Sequence, residues 1–147
     1  MSSSEANDDA EIAAGIILFR RGPREREFLL LRNAKHRSWG FAKGHAERDE
    51  NPEETARRET LEETGSFELD LIPGFEERIE YFIRTSKGTR RRKVVVYFLA
   101  ETAGEAIRSD EHDRVEWISA ATAKERIGHA NLRQILDRAL VRLEDPA

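Results

Sequence analysis

Apolar positions in this chain gather into short blocks separated by dense charge. Residues 13–19 (AAGIILF) form an unbroken apolar run of strand length that stops at Arg20 and Arg21. Gly22-Pro23 marks a turn, and residues 27–32 (EFLLLR) read as the returning strand of a β-hairpin. Residues 33–38 are a polar connection, and Trp39 after them reads as core or sheet-edge packing. Residues 67–71 alternate briefly, and the longer runs 76–85 and 92–100 flank a turn at 86–89. The second run contains VVVYFL, the β-branched and aromatic composition of a central strand. A polar, irregular stretch at 105–114 precedes a last short strand at 115–118. Ser119 caps a helix predicted from Ala120 to Ile127 and ended by Gly128. Leu132, Ile135, Leu136, Ala139, Leu140 and Leu143 then recur at helical spacing. Strands interleaved with helices in this order predict an α/β (α+β) fold, a mixed β-sheet covered by helices on both faces.

The longest polar stretch, 44–66 (GHAERDENPEETARRETLEETGS), also carries a helix signal. Asn51 is a good N-cap, Pro52 suits the first helical position, Glu54 completes a capping box, and Gly65 supplies a left-handed stop. Glu59, Glu62 and Glu63 then share one face, while Ala56, Thr60, Leu61 and Thr64 form a small-residue face for packing on a sheet. Like charges at that spacing destabilise a helix unless something positive lies between them. Arg57 and Arg58 can serve. So can Mg²⁺, which takes one or two carboxylates and leaves room for water and phosphate.

Composition narrows the alternatives. At 147 residues, the chain is long enough for one ordinary domain, placed at 11–147 behind an acidic, disordered tail at 1–10. The net charge of −4 offers no general attraction to nucleic acid or anionic membrane. A polyanion must therefore be met by a local basic group or by metal. The absence of cysteine removes disulfides, zinc thiolates and a thiol nucleophile, and fits a cytoplasmic setting. No apolar run approaches membrane-spanning length.

Gly44, Glu50, Arg58, Glu59, Glu62, Glu63 and Gly65 match in order and spacing the box G-x5-E-x7-R-E-U-x-E-E-x-G-U, in which U is a bulky apolar residue. Thr60 and Ser66 depart from it at the two apolar places. The chain resembles the Nudix hydrolases, which implies an α/β/α sandwich and metal-dependent hydrolysis of a nucleoside diphosphate linked to another group. Further segments (AAGIILFRR, EFLLLR, KGH after Trp39, GFEERIEYF, KVVVYFLAE and SDEH) look like the asymmetrical diadenosine tetraphosphate hydrolases, a branch in which Thr also stands at the first apolar place. Phe41-Ala42 and Arg48-Asp49 differ from that branch's Pro-Pro and Pro-Gly.

The resemblance implies that Glu59, Glu62 and Glu63, with the main-chain oxygen of Lys43, hold Mg²⁺ or Mn²⁺. It implies that Arg58 orients Glu59, and that Gly44 and Glu50 support the loop and helix. Glu59 or Glu111 is the candidate base, Glu111 alternatively being a solvated loop acid. Tyr81 is the candidate for stacking on adenine, with a sheet-surface aromatic as the plain alternative. Lys43 and His45 either reach the phosphates or, respectively, balance charge and fill the loop. Lys93 is the candidate phosphate contact within the basic run 90–93, which otherwise is a solvated face. The implied partner is a small nucleotide, diadenosine tetraphosphate split to ATP and AMP, with no membrane, no stable nucleic-acid complex, and a monomer or weak dimer. Two other readings remain: hydrolysis of 5′-triphosphate RNA ends or diphosphoinositol polyphosphates, and a non-catalytic nucleotide-binding module.

Overall fold

The computed structural model describes residues 10–66, 68–106 and 109–144. In chain order these form β1 (Glu11–Arg21), β2 (Arg26–Asn33), β3 (Trp39–Gly40), β4 (Ala42–His45), α1 (Pro52–Thr64), β5 (Asp70–Leu71), β6 (Glu77–Arg84), β7 (Arg90–Glu101), β8 (His112–Ile118), α2 (Ala120–Arg126) and α3 (Ala130–Glu144). Residues 1–9 of the expected tail, Phe67 of the alternating stretch, and Ile107 and Arg108 of the polar loop lie outside the described residues.

The two longest apolar runs meet in the middle of the sheet. β1 and β7 pair in parallel from Glu11↔Lys93 to Phe19↔Glu101, and their interior residues are buried on both faces. Such double burial suits unbroken apolar runs better than alternating ones. The remaining pairings are antiparallel, so the sheet is mixed. β7 is flanked on its other edge by β6 and β5, and β2 carries β3 and β8.

The β1–β2 hairpin forms as expected but pairs only at its tip, from Phe19↔Phe28 to Arg21↔Arg26. Further back β1 changes partner, because β4 takes the same edge from Ala13↔His45 to Ile16↔Ala42. The sheet therefore forks beside β1, and the fork later proves to be where the site lies. Gly15 permits the close approach, since a Cβ there would collide with the Ala42 carbonyl and the Lys43 side chain.

Strand residues alternate between two cores. Ala13, Ile17, Val95, Tyr97 and Leu99 face α2 and α3, where they pack with Ile127, Ile135, Leu136 and Ala139. Ala14, Ile16, Leu18, Val94, Val96 and Phe98 face α1 and pack with Ala56. The expected sandwich of helices on both faces is thus present. Two local expectations fail. Leu61 does not join the packing face of α1, being 47% exposed; Thr55 is buried instead, beside Ala56, Thr60 and Thr64. Gly128 does not end α2 either, because Ile127 closes it in an extended conformation, its N–H bonded to the Ala123 carbonyl. An apolar residue is useful there, as Ile127 is buried in the core. Among the described residues, no helix is long and apolar enough to cross a membrane.

Candidate active site

α1 is built to hold its glutamates still. The Asn51 side chain accepts from the Glu54 N–H at 2.8 Å, while Glu54 accepts from the Asn51 N–H at 2.9 Å. Gly65 ends the helix at φ 77°, its N–H donating to the Leu61 carbonyl at 2.8 Å. Between these caps Arg58 acts as a strut. Its Nε and Nη2 donate to Glu50 at 2.7 and 3.1 Å, and its Nη1 donates to Glu59 at 2.9 Å and to Glu62 at 3.2 Å. Nη2 also donates to the His45 carbonyl at 2.9 Å, tying α1 to the end of β4.

Glu50 answers with both oxygens, accepting in addition from the Glu47 N–H and the Thr55 hydroxyl, each at 2.8 Å. The Arg58 bonds, with that backbone N–H, lower the Glu50 carboxyl to about 2. Arg58 is held charged in turn, chiefly by Glu50. Gly44 is explained by the same cluster. A Cβ on it would fall on the Glu59 carboxylate, so the bare backbone of β4 is what lets Glu59 lie across it.

Glu63 is in a different condition. It is 4% exposed, and its Oε1 has no hydrogen-bond partner among the described residues. Burial first, and then the neighbouring Glu59, push its carboxyl far above the usual range, with the Lys43 N–H pulling the other way. The His112 Nε2 stands 3.8 Å from that same Oε1. A buried carboxylate left this way is costly unless it is neutralised. A hard divalent cation suits the site, because the orphaned oxygen belongs to a group of carboxylates facing β4. Among the described residues, no three acidic or imidazole side chains already stand together in metal-holding positions. Instead, Arg58 holds Glu59 and Glu62.

Glu63 rides on a helix packed against one face of the sheet, yet it lines a cavity that opens on the other. This cavity, of about 410 Å³, also takes in Lys43, Tyr81, Tyr97, Glu111 and His112. The fork where β1 exchanges β4 for β2 lets the carboxylate reach across. Burial, followed by the nearby Lys93, lowers the Lys43 ammonium below its ordinary value, partly opposed by Glu63, Glu111 and Glu59. Glu111 is brought in from far along the chain. Its carbonyl accepts from the Ala34 N–H at 3.0 Å, and Arg32 grips Asp113 with two bonds of 2.9 and 3.0 Å.

Lys43, Glu63, Tyr81 and Glu111 therefore line one cavity, whereas Glu59, Glu62 and Glu50, joined by Arg58, are not among its lining residues. Lys93 pairs across the strands with Tyr81 and places its ammonium 6.0 Å from the ring centroid, at the edge of the group. His45 does not line the cavity; its Nε2 lies 2.7 Å from Glu11 Oε1. Among the cavity residues that were not candidates in the sequence are His112 and Tyr97. His112, whose Nδ1 meets the Ser109 hydroxyl at 2.8 Å, stood in SDEH beside Glu111. Tyr97 belongs to the VVVYFL run of a central strand, and it is fully buried, but among the described residues its hydroxyl has no partner. Nothing in a run of strand residues signals which buried hydroxyl is left open.

Residues 10–139 match the NUDIX domain. The mouse asymmetrical bis(5′-nucleosyl)-tetraphosphatase is 36% identical over 123 residues, covering 76% of this chain and 80% of that protein. The pig protein of the same name is 33% identical over 137 residues, covering 84% and 89% respectively. Among solved structures, an Ap4A hydrolase from C. elegans in a binary complex aligns with a TM-score of 0.82 at 27% identity, over 92% of this chain and 98% of that one. With the box residues gathered on and around α1 and the family match spanning nearly the whole of the described chain, this protein belongs to the Nudix family.

Proposed function

We propose that the chain hydrolyses dinucleoside polyphosphates, splitting diadenosine tetraphosphate into ATP and AMP. The observation that carries this is the buried, unpartnered Glu63 oxygen, set in the same cavity as Tyr81 and Lys43. The relatives' names supply the substrate class. Glu59, Glu62 and Glu63, with the Lys43 main-chain oxygen, are the groups to hold Mg²⁺, Mn²⁺ being the alternative. The ion supplies charge against the phosphate oxygens and a more acidic water.

The other roles belong to the chain itself. Tyr81 offers a half-buried ring for a base to stack on, a contact of about 1–3 kcal/mol that tolerates different bases. Lys43 presents its ammonium inside the cavity, where low solvent access strengthens attraction for phosphate. Lys93 extends that positive character along β7, whereas His45, engaged with Glu11, is the weaker phosphate candidate. Glu111 or Glu59 accepts the proton as water adds to phosphorus and the anhydride P–O bond breaks. Arg58 keeps Glu59 oriented through a charge-assisted bond. Gly44 and Glu50 hold the loop and helix together.

The test is turnover of the tetraphosphate in ¹⁸O-labelled water, with products separated by chromatography. Equal ATP and AMP, with label in one of them only, is the expected result. Two molecules of ADP, or faster pyrophosphate release from 5′-triphosphate RNA, would overturn the substrate assignment.

A further inference from the structure

Tyr97 combines complete burial with an unpartnered hydroxyl. It lines the cavity, and among the described residues none satisfies its oxygen. Buried phenols ordinarily have a partner, since the O–H is taken from water. The ring has little freedom to find one elsewhere, because Phe41 meets it edge-on at a centroid distance of 5.9 Å and an angle of 74°.

Register sets Tyr97 in line with Lys43. Lys43, Gly15 and Tyr97 form one cross-strand row on the α3 side of the sheet. The middle position must stay bare, because β4 comes too close to β1 for a Cβ at Gly15. Lys43 and Tyr97 thus stand on either side of Gly15, and both line the cavity. The groups whose charge is felt by the Tyr97 phenol are Tyr81 and Glu63. The ring assigned to the base and the carboxylate assigned to the metal line the same cavity as Tyr97.

We propose that the Tyr97 hydroxyl is a substrate-binding donor, hydrogen-bonded to a nucleotide oxygen between the base and the attacked phosphorus. That oxygen belongs to the ribose or to the phosphate next to it. The inference rests on the nucleotide reading of the cavity given above, and it adds a contact that the carboxylate box does not contain.

Tyr97→Phe removes only this oxygen. The expected result is a melting temperature no lower than that of the unaltered protein, with kcat/KM for the tetraphosphate reduced about tenfold, mostly through KM. AMP affinity, measured by calorimetry, falls by a similar factor. If adenosine affinity falls equally, the contact is to ribose; if only AMP weakens, it is to phosphate. Unchanged turnover and affinity would mean that the hydroxyl merely meets a trapped water, and the proposal is lost. A melting temperature that drops along with activity would make Tyr97 a packing residue, with the same consequence. A chain inert on the tetraphosphate whose AMP affinity still drops on substitution keeps this contact and loses the substrate. A chain that binds neither AMP nor adenosine loses both.

Discussion

Arg58 and Glu63 stand on one helix and meet opposite electrostatic fates. Arg58 finds carboxylates on every side, whereas Glu63 is buried with an oxygen that no described residue answers. Glu50 shows what the first condition does to stability. Its carboxyl is lowered from the ordinary 4.5 to about 2 by Arg58. A depressed carboxyl means that the unfolded chain takes up protons first as pH falls. Its contribution is therefore complete above about 4.5 and disappears as pH drops toward about 2. Glu50→Gln should lower the melting temperature at neutral pH and flatten the acid limb of the melting profile across that window. Parallel profiles for the two proteins, measured by circular dichroism, would exclude this role.

At the scale of the element, α1 is positioned by its ends more than by its apolar face. The buried side is Thr55, Ala56, Thr60 and Thr64, small side chains that bring the helix close but bury little apolar surface. Capping therefore carries a larger share of its stability than in α3, whose Ile135 and Leu136 are deep in the core. Asn51→Ala removes the side-chain acceptor for the Glu54 N–H and should cost about 1 kcal/mol. Chemical denaturation measures it, and a loss below a few tenths would mean that tertiary contacts hold α1 without its cap. This element was legible in the sequence because capping residues act locally. Asn51, Pro52, Glu54 and Gly65 all do what their types suggest. Leu61 was misjudged because helical spacing gives relative faces, not which one a neighbour covers. The short β3 and β4 carried too little periodicity to be recognised as strands. The grouping of Lys43, Tyr81 and Glu111 came from resemblance alone, since only the sheet brings β4, β6 and the approach to β8 together. Tyr97 needed the finished packing, because an unpartnered hydroxyl is a property of its surroundings.

For the molecule as a whole, the fork in the sheet and the buried acid belong to one arrangement. The fork admits an α1 carboxylate to a cavity on the far face, and burial there makes its charge unfavourable when no cation is present. The sign of the pH effect follows. A carboxyl raised in the folded state binds protons that the unfolded chain has already released, so metal-free stability declines as pH rises above about 4.5. A divalent ion that displaces the proton reverses this, and its binding must release protons and strengthen with pH. Any ion that binds only the folded chain raises stability by about 2.7 kcal/mol at a hundred times its dissociation constant. Mg²⁺ should therefore raise the melting temperature over that in EDTA, and by more at pH 8 than at pH 5. Glu63→Gln should melt higher than the unaltered protein in EDTA at pH 8. It should also lose most of the Mg²⁺ shift, along with tetraphosphate hydrolysis. Retention of the full shift in that variant would place the ion elsewhere. A lower melting temperature in EDTA would show that Glu63 supports the fold, and the cavity would then lack the uncompensated acid on which metal binding at this fork depends.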